Sequence, residues 1–194
     1  MLGAGLDTFA YHNQYPENLL KIFEVDHPAT QAWKRARLRE MGIAVPSSLT
    51  FAPVDFERQS LAEELARAGF RSDRPAFFSW LGVVLYLTEA AVMDTLRYVA
   101  SLAPKSEVVF EFSVPAAFLY GQRRRSREAS AANAAKLGEP WITFFEPYAL
   151  TERLRTRGFV QTTRLAPRDA DRRYFDGRTD GLRAGGVYLM APCV

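Results

Sequence analysis

The sequence is poor in the residues that form disulfides and metal centres. It contains one cysteine, Cys193, and two histidines, His12 and His27, among 194 residues. A single cysteine excludes a disulfide within the chain, and a zinc cluster built on several thiolates has no ligands to draw on. Because so few cysteines are typical of a reducing compartment, we predict a cytoplasmic protein without a metal site.

Long apolar runs and an excess of one charge are also missing. No apolar run approaches the roughly 20 residues that cross a bilayer, and no charged-then-apolar leader is seen at the start. The 25 basic and 22 acidic residues are interspersed and leave a net charge of only +3. The composition therefore predicts neither a membrane nor a nucleic acid as partner, and it does not indicate an oligomeric state.

Strand-like apolar runs alternate with helical patterns along the chain. Helix starts are predicted at Pro28, Ser60, Thr88 and Pro147. The strand-like runs are Leu19 to Val25, Leu49 to Val54, the start of the long apolar stretch Ala76 to Leu87, Glu107 to Val114, Phe159 to Leu165 and Gly186 to Cys193. This alternation predicts a doubly wound, Rossmann-like α/β fold with a mostly parallel sheet in one domain over residues 1–194. The last two strands lack a clear helix between them, which predicts an antiparallel edge strand.

The segment from Ala116 to Trp141 breaks this alternation. It is rich in alanine and arginine and only weakly amphipathic, which predicts a helical insertion or lid over the sheet. Its run of arginines is most simply interpreted as a solvated helix face.

Three features with chemical potential follow three successive strand candidates. They are Gly3-Ala4-Gly5 after a first strand reduced to Met1 and Leu2, Asp26 after the second, and Asp55-Phe56 after the third. Because the carboxyl ends of parallel strands meet at one edge of a sheet, we expect these groups to converge there. The glycines allow positive φ and a close approach of a ligand, and Asp26 is placed to hold a ribose diol.

The loop does not fit a dinucleotide. Where the dinucleotide fingerprint has its third glycine, this chain has Thr8, with Asp7 beside it. An acid there would repel a pyrophosphate but suits a cationic ligand such as S-adenosylmethionine. A nicotinamide-dependent oxidoreductase remains the less favoured alternative. Structural roles also remain open, with Asp7 as a charge at a helix N-terminus and Asp26 as a cap of the following helix.

Four segments in order resemble bacterial members of the leucine carboxyl methyltransferase family, a branch of the class I S-adenosylmethionine-dependent methyltransferases. They are GAGLDTFAY (Gly3 to Tyr11), FEVDHPATQAWKRARL (Phe23 to Leu38), PVDFE (Pro53 to Glu57) and FFSWLGVVLYLTEAAV (Phe77 to Val92). The resemblance implies a seven-stranded methyltransferase sheet, S-adenosyl-L-methionine as cofactor, and O-methylation of a carboxylate or hydroxyl on a small molecule or peptide.

The family's cofactor residues transfer to this sequence by position. The resemblance implies that Gly3 and Gly5 lie under the methionine part, that Asp26 holds the ribose, and that Asp55 and Phe56 flank the adenine. The predicted cofactor-binding set is Gly3, Ala4, Gly5, Asp7, Asp26, His27, Asp55 and Phe56. No residue is singled out as a general base, and no metal is expected.

The sequence departs from the family's pattern at three places. Leu81 stands where relatives often have a glutamate before the glycine that is here Gly82, and His12 stands where many have arginine. The family's N-terminal helical region and most of its first strand are missing, so we expect an N-terminally truncated chain. These departures leave a second hypothesis open, a non-catalytic or weakly cofactor-binding remnant of the fold.

Overall fold

The computed structural model describes residues 1–16, 19–184 and 186–194. Its strands are β1 (Ile22–Asp26), β2 (Leu49–Pro53), β3 (Phe77–Trp80), β4 (Glu107–Phe112), β5 (Gln161–Leu165) and β6 (Tyr188–Cys193). Its helices are α1 (Phe9–His12), α2 (Pro28–Glu40), α3 (Leu61–Arg67), α4 (Glu89–Ala100), α5 (Gly121–Lys136), α6 (Pro147–Arg155) and α7 (Pro167–Ala170). Two 3₁₀ turns, Val84–Tyr86 and Ala116–Phe118, and a π-helical turn, Asp171–Phe175, complete the description.

The N-terminal residues join two groups of strands. β1 pairs in parallel with β2, and a second group has the order β3-β4-β6-β5. Between the groups, Leu2 forms a parallel bridge to Val25 of β1, and its N–H donates to the carbonyl of Ser79 of β3 at 2.8 Å. The strand positions therefore run β2, β1, the segment 1–3, β3, β4, β6 and β5, with the predicted first strand reduced to one bridge.

The predicted fold class is confirmed, but the antiparallel strand is not at the edge. β6 is antiparallel to both β4 and β5 and lies between them, so β5 forms the edge on that side of the sheet. Composition gives the physical reason, because Gln161–Leu165 is polar and only partly covered, whereas β6 buries Met190 fully. A polar strand tolerates the edge better than an apolar one.

The predicted helix starts at Ser60 and Thr88 are confirmed. Ser60 Oγ accepts from the N–H of Glu63 at 3.4 Å, and Thr88 Oγ1 accepts from the N–H of Ala91 at 3.3 Å. These bonds satisfy N–H groups that have no partner inside the helix. The face of α4 that packs on the core includes Val92, Met93, Leu96 and Val99, which are all buried.

The core face of α2 differs from the face that apolar spacing predicts. Ala29, Ala32, Trp33 and Ala36 have helical spacing, yet the Trp33 side chain is 51% exposed. The helix instead buries Gln31, Lys34 and Leu38. The reason lies in β1, where Glu24 is buried and its charge requires a cation from the helix that covers it.

The main core packs aromatic and aliphatic side chains of the central strands against α3, α4 and α6. Its largest fully buried members are Trp80, Phe110, Phe112, Leu2, Leu65, Leu96, Leu150, Leu154 and Met190. A smaller cluster of Ala10, Ile22 and Leu49 lies beside it. Leu2 belongs to the main core, so the N-terminal segment is anchored by packing as well as by hydrogen bonds.

The helix predicted within residues 116–141 is observed as α5, and its use as a lid remains a prediction. None of its residues is fully buried. It is attached in part by Arg127, whose guanidinium lies 4.7 Å from the ring centroid of Phe144. In the part of the chain that the structure describes, no helix has both the length and the apolar character needed to cross a bilayer.

Candidate functional site

The predicted site lies where the chain reverses its direction across the sheet. From the segment 1–3 the chain runs outward through β1 and β2, then returns to the other side and continues through β3 and β4. In open α/β sheets the crevice at such a reversal, beyond the carboxyl ends of the strands, is where ligands bind. Gly3, at the end of this central segment, and the following Ala4 and Gly5 lie at this reversal.

The two glycines of the bend both have left-handed backbone conformations, with φ of +67° at Gly3 and +47° at Gly5. Their surroundings differ. A Cβ added to Gly3 would lie 2.1 Å from Cγ2 of Val83, whereas a Cβ added to Gly5 would meet nothing within 4 Å. Gly3 is therefore required by internal packing, and Gly5 faces open space that a ligand can approach.

Asp26 joins the glycine bend to the start of α2. Its Oδ2 accepts from the N–H of Gly5 at 2.5 Å, and its Oδ1 accepts from the N–H of His27 at 2.7 Å. The capping role falls to His27, whose Nδ1 accepts from the N–H of Ala29 at 3.3 Å. Because a carboxylate has about four acceptor positions, these two bonds leave Asp26 room to accept two more.

Asp55 lies next to Asp26 at the same edge. The N–H of Val54 donates to the carbonyl of Asp26 at 2.8 Å, which brings the two strand ends together. His27 lies between the acids, with its Nε2 4.0 Å from Oδ2 of Asp55. Asp55 also faces Arg58, with 3.7 Å from Oδ2 to Nε. The predicted convergence of acids at one sheet edge is thus observed.

Phe56 is half-buried and stacks on the core. Its ring centroid lies 6.1 Å from that of Trp80, at an interplanar angle of 27°. The ring of Phe56 is therefore held in place by the core on one of its faces. Packing of its ring against adenine stays a prediction.

Two predicted residues of the bend have structural partners. The side chain of Ala4 is buried, and its N–H donates to Val25 at 3.0 Å. The carboxylate of Asp7 is exposed, and its Oδ1 accepts from the N–H of Phe9 at 2.7 Å, where α1 begins. Asp7 therefore has a backbone partner at the start of α1, and its role toward a cationic ligand remains a prediction.

Sequence reasoning missed a buried ion pair directly behind the bend. Lys34 Nζ lies 2.6 Å from Oε2 of Glu24, and the two side chains are 5% and 1% exposed. The same Nζ donates to the carbonyl oxygen of Asp7 at 2.7 Å. The spacing of Gln31, Lys34 and Leu38 places these residues on one face of a helix. A lysine on such a face is typical of a face exposed to solvent, so the spacing does not predict that the face is buried.

Two further carboxylates fix loops around the site. Both oxygens of Glu57 accept from Thr88, from its N–H at 2.7 Å and from its hydroxyl at 2.8 Å, so the loop after β2 holds the start of α4. Oε1 of Glu111 accepts from the N–H of Gly82 at 2.9 Å. The bend after β3, where Leu81 replaces the expected glutamate, thus receives a carboxylate from β4.

A groove on the surface of the described part of the chain does not coincide with the predicted site. It has a volume of about 610 Å³ and lies between the start of α3 and α4, sharing only Phe56 with the predicted residues. The glycine bend and the acids instead form an open shelf at the sheet edge. The shelf is the stronger candidate for ligand binding because it lies at the topological reversal and Asp26 has free acceptor positions there. Within the described residues, no three His, Cys, Asp or Glu side chains come together as metal ligands.

The chain is similar to known methyltransferases. The family model described as leucine carboxyl methyltransferase matches residues 1–100. YktD of Bacillus subtilis (strain 168), provisionally named an S-adenosyl-L-methionine-dependent methyltransferase, is 34% identical over 185 residues, which are 95% of this chain and 60% of YktD. A similarly named protein of Mycolicibacterium paratuberculosis is 34% identical over 177 residues, covering 84% of this chain and 55% of that protein.

A solved structure supports the fold. An S-adenosylmethionine-dependent methyltransferase of Thermotoga maritima superimposes with a TM-score of 0.56 at 12% identity, covering 99% of this chain and 79% of that one. The chain spans 55–60% of the length of the two sequence relatives described above. None of these similarities supports the alternative of a nicotinamide-dependent oxidoreductase.

Proposed function

This chain belongs to the leucine carboxyl methyltransferase family, and we propose that it binds S-adenosylmethionine and transfers its methyl group to an oxygen of a small molecule or a peptide. The observation that carries the proposal is the hydrogen bond from Gly5 to Asp26 at the reversal of the sheet. It places an open glycine bend and a carboxylate with free acceptor positions side by side. This pair suits a nucleoside with a cationic tail, because the carboxylate can accept from its hydroxyl groups and the bend leaves space beside it.

Different residues of the shelf would contact different parts of the ligand. We propose that Asp26 accepts from the ribose hydroxyls and that Asp55 and Phe56 lie beside the adenine. Gly3, Ala4 and Gly5 would lie under the methionine part, with Asp7 near its cationic groups and His27 completing the wall between the two acids. The open space at Gly5 supports this arrangement, because a side chain there would fill the approach.

S-adenosylmethionine, when held by these residues, would supply a methyl group on a sulfonium for in-line transfer to an oxygen nucleophile, with S-adenosylhomocysteine as the leaving group. The task of the chain is then to hold and orient the two reactants and to exclude water. An acceptor that is already a carboxylate needs no general base, consistent with the sequence singling none out. A hydroxyl acceptor would need one.

Cofactor binding is tested by calorimetric titration with S-adenosylhomocysteine. We expect Asp26→Asn to weaken binding by at least about tenfold. The asparagine has no negative charge, and its NH₂ group would face the N–H of either Gly5 or His27, so that one of these donors loses its acceptor. The matched control is Asp73→Asn, an exposed acid paired with Arg71 before β3, at the opposite edge of the sheet. Its affinity should equal that of the unaltered chain.

Absence of S-adenosylhomocysteine binding to the unaltered chain at millimolar concentration would contradict the proposed function. The acceptor is tested with S-adenosylmethionine labelled on its methyl group, offered with carboxylic acids, phenols and amines. Transfer to a carboxylate gives a base-labile ester and transfer to a phenol a base-stable ether. Labelling of amines alone would refute O-methylation.

A further inference from the structure

The buried pair Lys34 and Glu24 connects three parts of the fold at one point. Lys34 lies on α2, Glu24 on β1, and the carbonyl that Lys34 also binds belongs to Asp7, two residues after Gly5. Both bonds of Nζ are short, 2.6 Å to Glu24 and 2.7 Å to Asp7. The helix and the strand are thereby tied to the loop that follows the glycine bend.

The stability of the fold does not by itself explain why this ion pair is buried. Removing two charges from water is costly, and well-packed apolar residues in place of a buried ion pair are often neutral or stabilising. The cost is visible here, because burial raises the pKa of Glu24 even though Lys34 opposes the shift. Among the described residues, Oε1 of Glu24 is buried and has no hydrogen-bond partner. The carboxylate therefore binds Lys34 through Oε2 alone.

The bond that apolar residues could not replace is the one to Asp7. A buried ammonium is a strong donor to a backbone carbonyl, and here it fixes the peptide at Asp7. Asp26 fixes the same loop on its other side through the N–H of Gly5. Besides the backbone bonds of the bend, these two bonds hold the loop at positions two residues apart, one on the side of the shelf and one from the protein interior.

We propose that Lys34 is a positioning residue for the cofactor loop: it holds the Asp7 carbonyl so that the bend at Gly5 keeps its binding shape, and Glu24 neutralises the buried ammonium. The inference rests on the proposed function of that loop. Lys34 touches neither reactant and acts through the backbone of Asp7.

The test removes both charges and keeps the volume. In the double variant Glu24→Leu with Lys34→Met the fold should persist, with a melting temperature at or near that of the unaltered chain. The dissociation constant for S-adenosylhomocysteine should rise about tenfold or more, because the loop must be ordered on binding. Glu24→Gln with Lys34→Met serves the same test if the apolar pair does not fold.

The matched control is Gln31→Met on the same helix. Gln31 is buried, and its Nε2 donates to the carbonyl of Glu24 at 2.9 Å rather than to the carbonyl of Asp7. This variant should lose thermal stability but bind S-adenosylhomocysteine within twofold of the unaltered chain. Equal weakening in Gln31→Met and in the double variant would overturn the positioning role, as would unchanged affinity in the folded double variant.

A second readout needs no ligand. Amide hydrogen exchange should accelerate at Asp7 and Phe9 in the double variant by about tenfold and stay unchanged in Gln31→Met. If the unaltered chain fails to bind S-adenosylhomocysteine, the proposed function fails while this exchange pattern still decides whether Lys34 positions the loop. Unchanged protection at both amides would refute the inference by itself.

Discussion

At the scale of single residues, Gly3 and Gly5 have the same backbone conformation for different reasons. Both have positive φ, which only glycine adopts without strain. At Gly3 the side chain of Val83, on the far side of the sheet reversal, also occupies the place of a Cβ. The spacing of two glycines predicts the bend, but it does not predict which of them is packed and which is open.

Alanine at the two positions should therefore have unequal effects. Gly5→Ala should cost only the backbone strain, about 1–2 kcal/mol. Gly3→Ala adds a steric clash with Val83 and should cost about 1–3 kcal/mol more, the range of an overpacked core. Urea unfolding of both variants measures the difference.

Val83→Ala in the Gly3→Ala background tests the cause. It should recover part of the loss, because the shortened side chain makes room for the new Cβ. No coupling between the two substitutions would disprove the assigned clash.

At the scale of elements, helix starts follow local rules. Pro147 begins α6, as predicted, and Glu146 caps it by accepting from the N–H groups of Ala149 at 2.6 Å and Tyr148 at 3.0 Å. The hydrogen bond from Ala149, followed by that from Tyr148, lowers the pKa of Glu146 below its ordinary value of 4.5. The ionised cap is thus favoured in the folded state.

The lowered pKa gives the sign of a pH dependence. The stabilisation from Glu146 is complete above the unfolded-state pKa of about 4.5 and is lost as the pH falls through the lower folded-state value. Glu146→Ala should therefore melt below the unaltered chain at pH 6, and the gap should close as the pH falls toward 3. Melting curves across this range measure it, with Glu139→Ala, an exposed acid in the preceding loop, as control. A gap independent of pH would contradict the capping assignment.

At the scale of the whole molecule, the segment 1–3 unites the two groups of strands. Val25 donates to the carbonyl of Met1 at 2.9 Å on one side, and Leu2 donates to Ser79 at 2.8 Å on the other. Leu2 is only 1% exposed and packs into the main core. Two residues thus supply both hydrogen bonds and apolar contact to a position between β1 and β3.

Truncating this side chain should affect the whole fold. Leu2→Ala should lower the free energy of unfolding by about 2–5 kcal/mol, the cost of a buried leucine replaced by alanine. The control Leu137→Ala alters a side chain that is 82% exposed and should change it by less than about 0.5 kcal/mol. Urea unfolding measures the free energy of both variants. Similarly small changes in Leu2→Ala and Leu137→Ala would show that the segment 1–3 does not contribute to the core.

The sequence alone determined what depends on nearby residues: the glycine bend, the caps at Ser60 and Thr88, and the acids at the ends of β1 and β2. These features arise from φ preferences and hydrogen bonds within a few residues, so they are readable along the chain. Tertiary structure alone decided that Val83 closes over Gly3, that Lys34 turns inward to Glu24, and that β6 inserts between β4 and β5. Each of these depends on a partner 10 or more residues away, and the free energy of burying a charge or pairing a strand is set by where that partner lies.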